Sequence, residues 1–209
     1  MVVANASLPG SVQSRHMLIS LATALVLSAC VTQETKRDAI NDINAEFKVQ
    51  YEAALAKNGS RAVNASSECA FDATNAALVS LGMVIKQQSR GLGYIQAEAP
   101  APLPLTRSEW ERASAMDLPK AKEILRRHVG ALAEAFHFEP EGLDTVITAT
   151  VIQANGGAQI SLTMRMREVA PPQPGFPRRE YPPPTALQAG LDKIWGALDR
   201  ELKARPCKP

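Results

Sequence analysis

The side chains best suited to metal chemistry in this sequence are few and stand far apart. Three histidines occur among 209 residues, and His137 follows Glu134 at the Glu-x-x-His spacing. Two-metal sites in helical bundles use this spacing together with further carboxylates on facing helices. Because only one copy of the motif is present, we expect ordinary core or solvated side chains here and no metal site.

The sequence also lacks the motifs of nucleophilic and phosphate chemistry. No Gly-x-Ser-x-Gly segment positions a serine nucleophile at a sharp turn. The glycine-containing stretch SRGLGY at 89–94 has neither the spacing nor the lysine of a phosphate-binding loop. Cys69 and Cys207 do not form a Cys-x-x-Cys pair, which favours a structural role over a redox one. We therefore predict a protein that is not an enzyme and has no cofactor; an enzyme is the third of three hypotheses.

Cys30 has the most informative context of the three cysteines. It ends the segment MLISLATALVLSAC, whose apolar core at 17–27 has the length of a signal-peptide core and is too short to span a bilayer. The residues Leu-Ser-Ala-Cys at 27–30 resemble the lipobox of bacterial lipoprotein signal peptides. In that family the signal is cut before the cysteine, whose sulfur and new amino group become acylated. The resemblance implies a signal peptide over 1–29 and a lipid on Cys30; an ordinary secretory signal with a chance cysteine is the alternative.

A lipid anchor would determine where the protein works. A single acyl chain binds a bilayer only weakly, at about 0.8 kcal/mol for each buried CH₂ group, whereas two or three chains make attachment effectively permanent. The residue after the cysteine is Val31 and not Asp. By analogy with enteric sorting, this favours the inner leaflet of the outer membrane. The resemblance thus implies a lipid-anchored protein that faces the periplasm, with the membrane as one partner.

Length and charge limit the remaining function classes. Removal of residues 1–29 leaves 180 residues, which suits one domain with a tether. The removed segment contains one basic residue, Arg15, and no acidic residue, so 22 basic and 21 acidic residues give the remainder a net charge of +1. Proteins that bind nucleic acids usually carry a much stronger basic footprint. We therefore predict no nucleic-acid partner.

Cys69 and Cys207 form an even pair if Cys30 carries the lipid. In an oxidising compartment such a pair is expected to form a disulfide. Cys69 opens one predicted helix and Cys207 follows another. The bond therefore requires these two helices to lie antiparallel.

Apolar spacing and turn signals predict the secondary structure. Helices are predicted at 34–57, 68–81, 108–116, 119–138 and 185–204, and strands at 83–88, 92–98, 143–154 and 158–169, with a short extended piece at 61–64. Thr106 and Glu109 fit a capping box, and Pro119 suits the first position of a separate helix. Gly59 is expected to end the first helix in the left-handed conformation.

This order of elements predicts an α+β fold in which an antiparallel sheet is covered on one face by helices. The chain resembles the helix-grip domains of small proteobacterial outer-membrane lipoproteins, including those of the BamC component of the β-barrel assembly machinery. The resemblance is carried by FDATNAALVSLGMVIKQQSRGLGYIQAEA, the hairpin at 143–169 and ALQAGLDKIWGALDREL. We expect a tether and N-terminal helix over 30–60 and one domain over 61–205. Within it, a helical insertion at 106–138 departs from the family plan, and a proline-rich connector runs over 170–184.

Side chains for partner binding are expected in this connector. Its prolines restrain the backbone, which displays Arg178 and Arg179, beside Phe176 and Tyr181, at a reduced ordering cost. A stiff connector with solvated arginines is the alternative. Trp110 and Trp195 are expected to be amphipathic packing residues, and Trp110, near the capping box, is the better candidate for a further surface contact.

Two non-enzymatic functions are consistent with these patterns. The first is an interaction or assembly-accessory module that docks on an envelope protein complex. The second is a carrier of lipid or another apolar ligand, because Met164 and Met166 are expected to face inward and methionine adapts to varied shapes. Plain core packing is the alternative for these methionines. The helix at 34–57 is expected to pack on its own domain, with a partner-binding arm as the alternative.

Overall fold

A computed structural model describes residues 32–171, 174–175, 177–205 and 207. The predicted signal peptide, Cys30 and Phe176 lie outside these residues. Along the chain the elements are α1 (Gln33–Asn58), β1 (Ser60–Val63), α2 (Ser67–Ser80), β2 (Val84–Ser89), β3 (Tyr94–Pro100), α3 (Arg107–Val129), a 3₁₀ turn (Gly130–Ala135), β4 (Leu143–Ala154), β5 (Gly157–Glu168) and α4 (Pro184–Ala204). The predicted α+β class is confirmed.

The five strands form one antiparallel sheet in the order β1-β5-β4-β3-β2. Its centre is the long β4–β5 hairpin, which pairs Leu143 with Glu168 at one end and Ala154 with Gly157 at the other. The second pair encloses the predicted Asn-Gly turn. Strand β1 covers only the first part of the outer edge of β5, where Ser60 to Val63 pair with the residues 158–161.

Helices α2 and α4 cover one face of the sheet. The apolar–polar alternation in the sequence of β5 predicts four inward-facing residues, and all four are buried: Ile160, Leu162, Met164 and Met166. Close approach of α4 to this strand requires Gly190, since a Cβ atom there would lie 2.6 Å from the sulfur of Met164. Trp195 of α4 is also buried, and its indole N–H donates to the carbonyl of Asn58 at 2.7 Å. These contacts fix α4 between the sheet and the end of α1.

The predicted disulfide joins Cys69 to Cys207, with their Cα atoms 5.8 Å apart. Cys69 lies in the first turn of α2, whereas Cys207 follows the C-terminal end of α4. Since the two helices also pack along each other, the bond confirms their antiparallel arrangement. It fastens the end of the chain to the core.

The helical insertion is one helix where two were predicted. A proline inside a helix removes one donor and crowds the carbonyl four residues earlier, here that of Ala115. Both Ala115 and Pro119 are exposed, so water can solvate the freed carbonyl. The apolar stripe is buried on both sides of the proline, at Trp110, Ala113, Ala121, Ile124 and Leu125. Packing of this stripe keeps α3 continuous.

The insertion helix also ends earlier than predicted, at Val129. Gly130 adopts a positive φ of 56° and starts the 3₁₀ turn. Leu132 continues the apolar stripe in sequence, but after this break its side chain is 53% exposed. The sequence periodicity places Leu132 on the same face as Ile124 and Leu125, and the burial expected from it is therefore wrong.

The first helix ends at Gly59, but the predicted left-handed conformation is wrong. Gly59 has φ −77° and ψ −12°, and its amide donates to the carbonyl of Leu55 at 2.8 Å. A Cβ atom at this position would lie 2.6 Å from that carbonyl oxygen. Close packing, rather than a positive φ, accounts for the glycine.

Helix α1 packs on its own domain, as predicted. Phe47 and Tyr51 are buried, and the ring of Phe47 lies 5.8 Å from that of Phe138. Asp42 of the same helix hydrogen-bonds His128 of α3 at 2.9 Å. Among the helices of the described ranges, none is long and apolar enough to cross a membrane.

Candidate partner-binding pocket

An apolar pocket of about 110 Å³ lies where α1, the helical insertion and the proline-rich connector meet. One wall consists of α1 side chains at helical spacing: Ile40, Ile43, Asn44 and Phe47. The insertion and the sheet supply the second wall and the floor: Trp110, Leu125, Phe136, Phe138, Leu143 and Met166. The connector supplies the third: Arg179, Tyr181 and Pro183. Three of the four residues predicted for partner binding therefore meet at this pocket.

Trp110 is a packing residue, as expected, and it forms a buried wall instead of the candidate surface contact. Its side chain is 1% exposed and packs with Leu105, Leu143 and Met166. The indole N–H donates to the carbonyl of Phe138 at 3.3 Å. Trp110 makes no surface contact because the capping-box residues at the start of α3 are solvent-accessible, whereas Trp110 follows Glu109 and already belongs to the buried apolar stripe.

The connector is fastened to the domain on both sides of the pocket. The side-chain amide of Asn44 donates to the carbonyl of Arg178 at 2.7 Å, and the amide of Met166 donates to the carbonyl of Glu180 at 3.3 Å. The ring of Tyr181 lies 5.2 Å from that of Tyr51. These contacts hold the connector backbone in place and position Tyr181 as a rigid pocket wall.

The two connector arginines differ in their surroundings. Arg179 is exposed and donates to the carboxylate of Glu168 at 3.0 Å. Arg178 is partly buried and donates to the carbonyl of Ala170 at 3.3 Å. Within the described ranges, no carboxylate lies at ion-pair distance from Arg178, so its charge is available to an acidic group on a ligand.

A histidine adds pH-dependent charge at the rim of the pocket. The exposed His137 hydrogen-bonds Glu139 at 2.7 Å, and this contact, with a second hydrogen bond to the carbonyl of Ala135, raises the pKa of His137. The Glu134 and His137 pair that resembled a metal motif is not assembled for coordination, because Glu134 instead pairs with Arg126 at 2.6 Å. No cluster of three potential metal ligands occurs in the described part of the chain.

Glu109, in the first turn of α3, links the pocket wall formed by the insertion to α4; we call these contacts the Glu109 brace. Its carboxylate accepts from the Lys193 ammonium at 2.5 Å and from the amide of Thr106 at 2.6 Å, which confirms the predicted capping box. The Lys193 hydrogen bond and the Thr106 amide lower the pKa of Glu109 to about 2. The brace fixes the start of α3, which carries Trp110.

The Glu109 brace predicts a loss of stability in acid. Since the pKa is lowered on folding, the stabilisation is complete above the ordinary value of 4.5 and is lost as the pH falls toward 2. The side chain is 34% exposed, so solvent screening limits the expected contribution to about 1 kcal/mol. Urea denaturation between pH 2 and 6 should show a shallower acid decline for Glu109→Gln than for wild type. Glu111→Gln, on the same helix, is the control; equal declines in all three proteins would contradict the prediction.

Sequence reasoning missed part of the site. The helical spacing assigns Ile40 and Ile43 to the apolar stripe that faces the domain, but both side chains are only partly buried and line the pocket. It also placed Phe136 at the end of a helix, whereas Phe136 and Phe138 follow the 3₁₀ turn with their rings 5.1 Å apart. Two phenylalanines separated by one residue, next to a glycine break, are the local signal for this extended aromatic segment.

Comparison with known proteins identifies no relative: no family model, curated protein or solved structure matches the chain.

Proposed function

We propose that the protein is a lipid-anchored lipoprotein of the outer membrane that faces the periplasm and acts as a non-catalytic interaction module. In this proposal the pocket binds an apolar side chain of an envelope protein. The observation that carries the binding role is the convergence of Trp110, Arg179 and Tyr181 with the wall of α1 at one apolar site. The lipobox-like residues before Cys30 support the anchor.

The size of the pocket favours a protein segment over a whole lipid. A buried apolar cavity of about 150 Å³ holds a molecule the size of benzene, so the present volume of about 110 Å³ suits one aromatic or branched side chain. An acyl chain of ordinary length would need several times this space. The pocket therefore supports the first of the two sequence hypotheses.

The inward methionines give only partial support to the carrier hypothesis. Met164 is fully buried, and its sulfur faces Gly190 of α4, which is core packing. Met166 does line the pocket, although only 5% of its surface is exposed. A small apolar ligand is thus the second candidate, and its support is limited to Met166.

The charge around the pocket indicates what should flank the apolar side chain. Arg179 lines the pocket and pairs with Glu168, while its neighbour in sequence, Arg178, has no carboxylate partner among the described residues. His137, which hydrogen-bonds Glu139 in the pocket lining, gains positive charge as the pH falls. Rigid aromatic walls bury an apolar anchor at low entropy cost, while a peripheral charge sets orientation and specificity. We therefore expect the partner segment to carry an acidic residue next to its apolar anchor.

Reversal of the two connector charges tests this binding role. Arg178→Glu with Arg179→Glu should reduce partner capture from crosslinked membranes at least tenfold, because both charges would repel the acidic residue of the partner. Thermal stability should change by about 1 kcal/mol or less, since Arg179 loses an exposed ion pair with Glu168 and Arg178 loses one hydrogen bond to the carbonyl of Ala170. The matched control is Arg112→Glu with Arg200→Glu, which reverses two exposed charges away from the pocket. Equal partner capture by both double variants would mean that the connector arginines do not bind the partner and that the connector only links β5 to α4.

A further inference from the structure

The start of α1 lies very close to the proposed lipid anchor, and the present inference rests on that anchor. Helix α1 begins at Gln33, and its N-cap Thr32 accepts a hydrogen bond from the amide of Thr35 at 3.1 Å. Thr32 is only two residues after Cys30. Two extended residues span at most about 7 Å, so a lipid on Cys30 would hold the first turn of α1 at the membrane surface.

The insertion reaches the same end of the molecule. Ala133 of the 3₁₀ turn packs in one buried cluster with Ala39 of α1 and Leu125 of α3. Ala39 lies six residues after Gln33, which is about 9 Å of helix. The 3₁₀ turn and the C-terminal end of α3 are therefore neighbours of the anchored end of α1.

This end of the molecule combines an exposed apolar side chain with a positive charge. Leu132 projects from the 3₁₀ turn with 53% of its surface exposed. The segment 120–134 contains four basic residues and two acidic residues, which gives a net charge of +2 before His128 is counted. In the last turn of α3, the side chains of Arg126 and Arg127 are 54% and 60% exposed. They pair with Glu134 at 2.6 Å and with Glu123 at 3.4 Å, so a contact with an anionic group would replace these exposed ion pairs.

We propose that the 3₁₀ turn and the last turn of α3 form a membrane-contact surface for an anionic phospholipid bilayer. Leu132 enters the boundary between headgroups and acyl chains, and the arginines of the last turn face the lipid phosphates. This pairing of an apolar residue with basic neighbours is the arrangement by which interfacial segments bind anionic membranes. Together with the lipid on Cys30, this second contact would fix the orientation of the domain on the membrane.

The orientation has a consequence for the pocket. Ile40, at its mouth, lies seven residues after Gln33, or about 10 Å of helix from the anchored end. The pocket would then open just above the bilayer surface. A partner segment that fills it would be the membrane-proximal part of an envelope protein.

The contact can be tested by fluorescence quenching on the complete lipidated protein. The variants are Leu132→Trp and, as control, Leu92→Trp, whose parent side chain is 79% exposed at the opposite end of the sheet. The native tryptophans are each 1% exposed and give a common background. The proteins are reconstituted into phosphatidylethanolamine–phosphatidylglycerol vesicles with brominated acyl chains. We expect at least twofold quenching of the Leu132→Trp signal and no added quenching for Leu92→Trp.

The outcomes separate this inference from the proposed anchor. Failure of the wild-type protein to float with the vesicles would refute the anchor itself. Flotation with equal signals from the two variants would overturn the membrane contact and leave the anchor intact. A blue-shifted but unquenched signal from Leu132→Trp would place that side chain against protein, which also overturns the contact. Arg126→Glu and Arg127→Glu can be added to the Leu132→Trp variant. Quenching that is as strong as without them would refute the role of anionic headgroups.

Discussion

Replacement of both Cys69 and Cys207 by alanine is expected to lower the free energy of unfolding by about 3–5 kcal/mol. The bond closes a loop with a sequence separation of 138 residues, for which the chain-entropy relation gives about 5 kcal/mol as an upper figure. The bond also fastens the end of α4, and with α2 this helix covers the sheet. Urea denaturation of the mature, unlipidated chain measures the difference.

Reduction provides the control for this prediction. A thiol reductant should destabilise the wild-type protein by a similar amount and should leave the double alanine variant unchanged. Thiol counting on the unreduced, unfolded mature protein should find neither Cys69 nor Cys207 free. A stability loss below about 1 kcal/mol, or two free thiols in a periplasmic preparation, would contradict a structural disulfide.

Substitution of Cys30 by serine is expected to abolish membrane attachment completely. In lipoproteins the cysteine sulfur is acylated before the signal peptide is cut. Cys30→Ser should therefore accumulate as uncleaved precursor and should incorporate no fatty-acid analogue. Each lost acyl chain removes about 0.8 kcal/mol for every buried CH₂ group. Metabolic labelling followed by electrophoresis measures both effects.

Cys69→Ser is the matched control for the anchor, because it removes a cysteine that takes no lipid. It should be processed and labelled like the wild type, although it loses the disulfide. Normal processing of Cys30→Ser together with an unlabelled wild-type protein would remove the lipoprotein proposal altogether.

Features set by short-range chemistry were predicted from the sequence. The capping box of Thr106 and Glu109, the hairpin at Asn155-Gly156 and the alternating strand from Ile160 to Met166 all depend on residues within a few positions of each other. The one-faced cover of the sheet follows from the same alternation, because a strand with one apolar face requires helices on that face. These patterns were sufficient for the fold class.

Features set by long-range packing were not predicted. Pro119 appeared to divide the insertion, but burial of the stripe on both sides keeps α3 continuous. Trp110 was expected to pack, but the sequence did not indicate that its partners are the carbonyl of Phe138 and the end of the sheet at Leu143 and Met166. Periodicity describes one element at a time and carries no information about which distant element covers it.

The candidate site shows the same division. The restrained connector identified Arg179 and Tyr181 as displayed side chains, and both border the pocket. Arg179 and Tyr181 meet Ile40 and Ile43 only because α1 packs against the insertion and the connector. The hydrogen bond from Asn44 to the carbonyl of Arg178, for example, joins residues more than 130 positions apart. No local pattern relates segments so far apart in sequence.

Photocrosslinking from the pocket in intact cells tests whether the pocket binds an envelope protein. A photoreactive benzophenone amino acid replaces Tyr181, which lines the pocket, and in the control it replaces Tyr94 on the uncovered face of the sheet. We expect one envelope-protein adduct from position 181, joined at a peptide with an apolar residue beside an acidic one. That adduct should disappear with Ile40→Glu at the pocket mouth and persist with Val49→Glu, an exposed position on the same helix. Equal adducts from positions 181 and 94, or an adduct that survives Ile40→Glu, would contradict a partner-binding pocket.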